Sequence, residues 1–259
     1  MKIIVACALL LYLGVAVFSG IRVARRMRGT QITGEQRHAF YRYTIMEALV
    51  ATICIAALAL LSGFSLVDLG VQGFALDQFS FPIVGTLVIA VSACALFVLM
   101  AYNTVAYARN GDLRQKAWKQ LTQKSGNDAL PDDFRVHLLV PRSKKERQLF
   151  FFVSLTAGIC EEFLLRGVLF ATVMSLFPAL PLYAMLVICA LLFGVAHAYQ
   201  GVKGIAQTSA VGLFLGLLYL ATGSLIPGMI LHFVMDLSSC FIAPDAPVNQ
   251  QMPSARGVQ

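Results

Sequence analysis

Gly158-Ile-Cys-Glu-Glu-Phe-Leu-Leu-Arg166 sets two adjacent carboxylates and an arginine inside the apolar run 149–177. A run of this length can cross a bilayer, for which about 20 apolar residues suffice. A charged side chain in hydrocarbon is costly, so a charge cluster within a span marks either a functional site or a self-neutralising pair that holds helices together. The surrounding sequence decides between the two.

The chain has the composition of a membrane protein. Of its 259 residues, 58% are hydrophobic and 13% charged, and mean hydropathy is +0.76; soluble domains have about 45–50% apolar and about 25% charged residues. Seven apolar runs predict seven helices, at 3–21, 44–66, 81–107, 149–177, 182–198, 205–222 and 225–242. The expected fold is therefore all-α, a polytopic transmembrane helix bundle. Basic residues divide its connections into two kinds. Segment 22–43 carries six arginines and segment 108–148 carries ten Lys or Arg, with Lys203 after the fifth run. Segments 67–80, 178–181 and 223–224 carry none. By the positive-inside rule the basic set is cytoplasmic, which puts the N-terminus outside and the C-terminus inside. The dense basic block after the first run favours a retained anchor over a cleaved signal peptide.

Net charge +7 (20 basic less 13 acidic residues) is accounted for by topology, and no nucleic-acid partner is implied. Membrane lipids are the expected partners of the basic segments. The chain divides into a three-span region at 1–108, a basic cytoplasmic loop at 109–146, a four-span core at 147–243 and a disordered tail at 244–259. Within the loop, 112–123 reads as a short amphipathic helix carrying Trp118. Cys7, Cys54, Cys94, Cys160, Cys189 and Cys240 lack disulfide or zinc spacing and read as small core hydrophobes. His38 and His137 fall in the basic segments and read as solvated.

The polar residues of the four-span core sort by helical spacing. Glu162 and Arg166 are four apart and share a face, while Glu161 is turned about 100° away. His197 ends the fifth run in Phe193-Gly-Val-Ala-His197, and His232 and Asp236, also four apart, lie in the seventh. This spacing lets Asp236 hold the His232 ring in one tautomer. At 1.5 Å per residue, Glu161 lies about 24 Å and His197 about 22 Å from the outer ends of their spans, whereas His232 lies only about 10 Å below the start of its own. An outer turn at Pro227-Gly228 that dips into the bilayer, or a tilted helix, would close that gap.

Glu161-Glu162-x-x-x-Arg166, Phe193-x-x-x-His197 and His232-x-x-x-Asp236, in this order on separate spans, resemble the three motifs of the CAAX-protease and bacteriocin-processing (Abi) family of intramembrane proteases. The resemblance covers residues 147–243. It implies an intramembrane endopeptidase with a water-filled cavity open to the cytoplasm, in which Glu161 and His197 activate the attacking water and His232 with Asp236 stabilises the oxyanion. Glu162 and Arg166 brace the site. It also implies a peptide or protein substrate, membrane-associated or prenylated. The family position matched by Asp236 takes Asn or Asp; an ionised carboxylate would repel an oxyanion, so Asp236 acts either protonated or by orienting His232.

Two chemistries use the same atoms. A metal-free glutamate protease is favoured, with no cofactor. Zinc held by Glu161, His197 and His232 is the alternative, although the H-E-x-x-H helix motif is absent. Two other classes remain: a catalytically silent immunity or binding protein on the same scaffold, and a proton-coupled transporter, for which intramembrane Glu and His are also typical. The compact chain with minimal loops points to a bacterial inner membrane.

Overall fold

The computed structural model describes residues 1–26, 32–76, 81–127 and 136–245. The expected tail beyond 245, the middle of the basic loop and the His137 side chain lie outside these residues. Among them only helices occur: α1 (Lys2–Arg26), α2 (Gly34–Leu61), α3 (Ile83–Arg109), α4 (Gly111–Asn127), α5 (Lys144–Glu162), α6 (Leu169–Leu176), α7 (Leu182–Ala196), α8 (Gly201–Thr222) and α9 (Ile226–Leu237). Short 3-10 turns occupy Val136–Leu139 and Ala198–Gln200, and a π-helical turn, Phe163–Val168, joins α5 to α6 without a break.

Seven of these elements match the seven apolar runs, and α4 contains the expected amphipathic helix. Five helices are long and apolar enough to cross a membrane: α1, α2, α3, the continuous Lys144–Leu176 and Ala198–Thr222. α7 and α9 are apolar but shorter, at 15 and 12 residues. The chain is thus an integral, all-helical membrane protein.

Local chemistry sets the helix ends. Thr33 and Gln36 form a capping box at the start of α2, the Thr33 hydroxyl accepting from the Gln36 N–H and the Gln36 side chain from the Thr33 N–H. Ser143 caps α5 by accepting from the Glu146 N–H. Pro82 and Pro181 precede α3 and α7, where a missing N–H costs nothing. Gly223, in the left-handed region at φ 63°, ends α8.

One apolar core runs through the bundle. Val5, Leu9 and Leu13 of α1 and Ile55 and Ala59 of α2 pack with the π-turn residues, with Met185 and Leu186 of α7, and with Tyr219 of α8. α3 stands outside this core. Its only buried residue is Thr86; Ile89, Ala93 and Leu96 pack against Leu215, Leu218 and Leu231 in a separate cluster, and most of its other apolar side chains point outward, the surface a bilayer would cover. The same holds for three cysteines. Cys160, Cys189 and Cys240 are buried as expected, but Cys7, Cys54 and Cys94 lie on the exposed surface. In lipid the outside of a bundle is as apolar as its inside, so hydrophobicity alone does not assign a residue to the core.

At the end of the bundle carrying the basic segments, a buried ion pair joins α2 to α5. Arg37 donates to both Glu146 oxygens at 3.2 and 3.0 Å and to the Ile32 carbonyl at 2.8 Å. The Arg142 N–H also bonds Glu146, at 2.6 Å. Arg37, counted above among the loop charges, is 5% exposed and Glu146 is 3% exposed. Tyr41 donates to the Leu139 carbonyl beside this pair, and the Arg142 guanidinium lies over the Trp118 ring. At the opposite end, segment 62–76 folds over the start of α9. The Leu225 N–H bonds Gly70 O at 3.0 Å, the Ser224 hydroxyl bonds Gln72 O at 2.6 Å, and the Ala75 N–H bonds Thr222 O at 2.8 Å. Within this segment Ser65 donates its N–H and hydroxyl to Asp68, which holds that carboxyl below its ordinary range.

Removing one partner of a buried ion pair leaves an uncompensated charge, at a cost of about 3–5 kcal/mol. Glu146→Ala is therefore expected to lower the unfolding transition of the detergent-solubilised protein markedly. An unchanged transition would show that the Arg37 pair does not hold α2 against α5.

Candidate active site

The first motif lies where α5 passes into the π-helical turn. A π-turn within an α-helix is rare and is found frequently at functional sites. Here it begins immediately after Glu161-Glu162 and includes Arg166. Glu162 and Arg166 are both 1% exposed. Arg166 Nη1 donates to Glu162 Oε1 at 2.8 Å, and Nη2 donates to the Gly212 carbonyl of α8 at 3.0 Å.

The same Glu162 oxygen receives His232. Its Nδ1 lies 2.9 Å from Glu162 Oε1, and since an ionised carboxylate only accepts, Nδ1 carries the proton. Two glycines make this contact possible. A Cβ at Gly158 would stand 2.9 Å from the Met229 carbonyl and from the Phe233 N–H, so only glycine lets α5 and α9 approach so closely. A Cβ at Gly228 would come within 3.2 Å of Glu162 Oε2. The depth mismatch of His232 also has its explanation here. α9 starts beneath segment 62–76, with Ser224 and Leu225 each 2% exposed, so Leu225 is not at the outer surface.

The expected tautomer clamp is a different residue. Asp236 Oδ2 is 3.7 Å from His232 Nε2, too far for a hydrogen bond, whereas Glu162 binds Nδ1 directly. Spacing of four along α9 identified a neighbour on the same face. It could not identify a shorter bond arriving from α5.

Glu161 points away from this network, into a cavity of about 140 Å³. Its Oε2 is enclosed without a hydrogen-bond partner and lies 3.9 Å from His197 Nε2. His197 Nδ1 sits 2.9 Å from the Phe193 carbonyl. A carbonyl only accepts, so Nδ1 bears the proton, and in the neutral ring Nε2 presents its lone pair toward Glu161. The Phe193 ring joins the two halves of the site. Its centroid is 4.7 Å from the His197 ring and 5.7 Å from the His232 ring, and the Arg166 guanidinium lies 4.5 Å over it.

The structure thus brings Glu162, Arg166, His232 and Asp236 into one network, and Glu161 with His197 into a second pair on the cavity. Among the described residues no three His, Cys, Asp or Glu side chains converge as a metal-ligand set, so Glu161, His197 and His232 do not form a ready zinc cage. A residue outside the three motifs also reaches the cavity: Glu47 of α2. It interrupts the apolar run 44–66, and the argument that a carboxylate within a span marks a site applies to it as it does to Glu161. That signal was present in the sequence.

The fold and site define an integral membrane protein with a carboxylate–imidazole centre inside its bundle. Residues 145–238 match the family model of type II CAAX prenyl endopeptidase Rce1-like proteins, the kind of membrane protease that the three motifs resemble. The match covers 94 of 259 residues and includes all seven motif positions, from Glu161 to Asp236. No curated protein and no solved structure matches the chain.

Glu162→Ala or Arg166→Ala leaves a buried charge unpaired, and each is expected to cost about 3–5 kcal/mol of stability. Thermal unfolding and yield of folded protein are the readouts. A well-folded, fully stable Glu162→Ala protein would rule out the bracing role.

Proposed function

We propose that the protein is an intramembrane endopeptidase that hydrolyses a peptide bond with a water activated by Glu161 and His197. The observation that carries this reading is the facing pair of unfilled acceptors, Glu161 Oε2 and His197 Nε2, 3.9 Å apart on one cavity. A water there can donate one proton to each, which turns its lone pair toward an incoming carbonyl carbon. As the carbon–oxygen bond forms, Glu161 takes the proton. It returns it to the amine nitrogen as the carbon–nitrogen bond breaks. His197 keeps the water oriented because Phe193 O fixes its ring.

The oxyanion would be met by the His232 and Asp236 side. With Nδ1 committed to Glu162, the nitrogen left for substrate is Nε2, which donates only when the ring carries both protons. Asp236 beside it can donate only when protonated, so an amide at this position would do the same work without a charge. Glu162 and Arg166 hold His232 in place. We favour a metal-free, glutamic-type reaction, since the three zinc candidates do not cluster among the described residues.

The same reading counts α7 and α9 as spans, seven in all, with the N-terminus outside, the C-terminus cytoplasmic and the cavity opening toward the cytoplasm. Its support is that Leu139, within the basic segment 108–148, lines the cavity together with the half of α1 that leads into segment 22–43. A peptide or protein substrate in or at a bacterial inner membrane, prenylated or not, suits this placement.

Cleavage of a candidate peptide by the reconstituted protein tests the proposal. Glu161→Gln is expected to remove activity while leaving the unfolding transition in place; equal rates for the two proteins would sink the assignment. Asp236→Asn should retain activity within about tenfold and Asp236→Leu should lose about a hundredfold or more, the range for an oxyanion donor. A strong chelator should leave the rate unchanged, and inhibition reversed by added zinc would transfer Glu161 and the histidines to a metal mechanism.

A further inference from the structure

The cavity is walled largely by helices outside the family match. Along α1 it extends from Tyr12 to Ala24, about 18 Å at 1.5 Å per residue, and along α2 from Phe40 to Ala48. Such a length suits an extended peptide of about five residues. Its polar groups include the Glu47 and Glu161 carboxylates, the phenols of Tyr12, Tyr43 and Tyr199, and the His197 imidazole. Among the described residues that line it there is no lysine or arginine.

Glu47 is the unexplained member of this wall. Its Oε1 is enclosed and has no hydrogen-bond partner. Tyr43, one turn earlier, hydrogen-bonds the carboxylate, which leaves Oε1 as its open acceptor, and Tyr12 of α1 stands within electrostatic reach of both Glu47 and Glu161. Counted from the outer ends of α2 and α6, Glu47 and Glu161 are about 21 and 22 Å deep, so they occupy the same level of the bundle. A carboxylate in an apolar enclosure is costly unless a donor or cation partners it. Tyr43 supplies one donor, but Oε1 stays unfilled and the described lining residues include no cation.

We propose that Glu47 is a specificity-determining residue that receives a cationic group of the substrate, a lysine or arginine side chain close to the bond to be cut; the assignment rests on the proteolytic reading of Glu161 and His197. The substrate brings the missing counter-charge, and the carboxylate fixes the register of the peptide relative to the activated water. Glu47 acts on binding and takes no proton in the reaction.

The test compares two fluorescent apolar octapeptides that differ only in a central lysine or norleucine. Binding is measured to full-length protein in nanodiscs carrying Glu161→Gln, which reads recognition without turnover. The lysine peptide is expected to bind about tenfold or more tighter, the worth of one charge-assisted hydrogen bond, and adding Glu47→Gln should bring the ratio to about one. A ratio that survives Glu47→Gln, equal binding of the two peptides at the outset, or loss of both peptides together would overturn the proposal. With Glu161 intact, Glu47→Gln should raise KM for the lysine peptide and leave kcat in place. If neither peptide is cut yet the lysine preference depends on Glu47, the proteolytic reading fails and the cation subsite stands.

Discussion

A single carboxylate oxygen organises the half of this bundle that holds the three motifs. Glu162 Oε1 accepts from Arg166 at 2.8 Å and from His232 Nδ1 at 2.9 Å, in surroundings where water cannot substitute for either donor. In such a medium an unmatched charge is far more expensive than at a surface, so each member of the network requires the others. α5, α8 and α9 are held in register by that requirement, because Arg166 also binds the Gly212 carbonyl. Close packing at Gly158 is the geometric counterpart: the charges can meet only where the helix backbones nearly touch.

This arrangement separates two carboxylates that are neighbours in the chain. Glu162 is spent on structure, neutralised by an arginine and tied to a histidine. Glu161, about 100° around the helix, is left with an unpartnered oxygen facing a cavity. A group used for chemistry has to keep an open valence for substrate or water, and a group used for bracing has to have none. The π-turn that begins at Phe163 lies at this division, where the backbone leaves regular helical spacing just after the two acids.

The cavity belongs to more of the chain than the motifs do. Family-matched helices supply Glu161 and His197, while α1 and α2 supply most of the opposing wall, including Glu47. Core residues of α1 and α2 share one cluster with the π-turn residues, so the wall is fixed relative to Glu161 and His197.

Much of this was legible in the sequence. Apolar runs located α1, α2, α3, the continuous α5–α6, α7, α8 and α9, five of these seven stretches being long enough to cross a membrane, because burying backbone in lipid demands helices. Charges within those runs located Glu161, Glu162, Arg166, His197, His232 and Asp236, because charge in hydrocarbon is too costly to be incidental. Partnership across helices was not legible. Spacing of four pointed His232 to Asp236, but the short bond comes from Glu162, 70 residues earlier in the chain. Depth counted along one helix left His232 out of line with Glu161 and His197, because it took no account of segment 62–76 folding over the residues that lead into α9. The place of Glu47 on the same cavity as Glu161 likewise depends on how α2 packs. One-dimensional order fixes what each helix carries and which side chains share its faces; the close approach of glycine-lined helices decides which faces meet, and hydrogen bonds between distant residues exist only once they do.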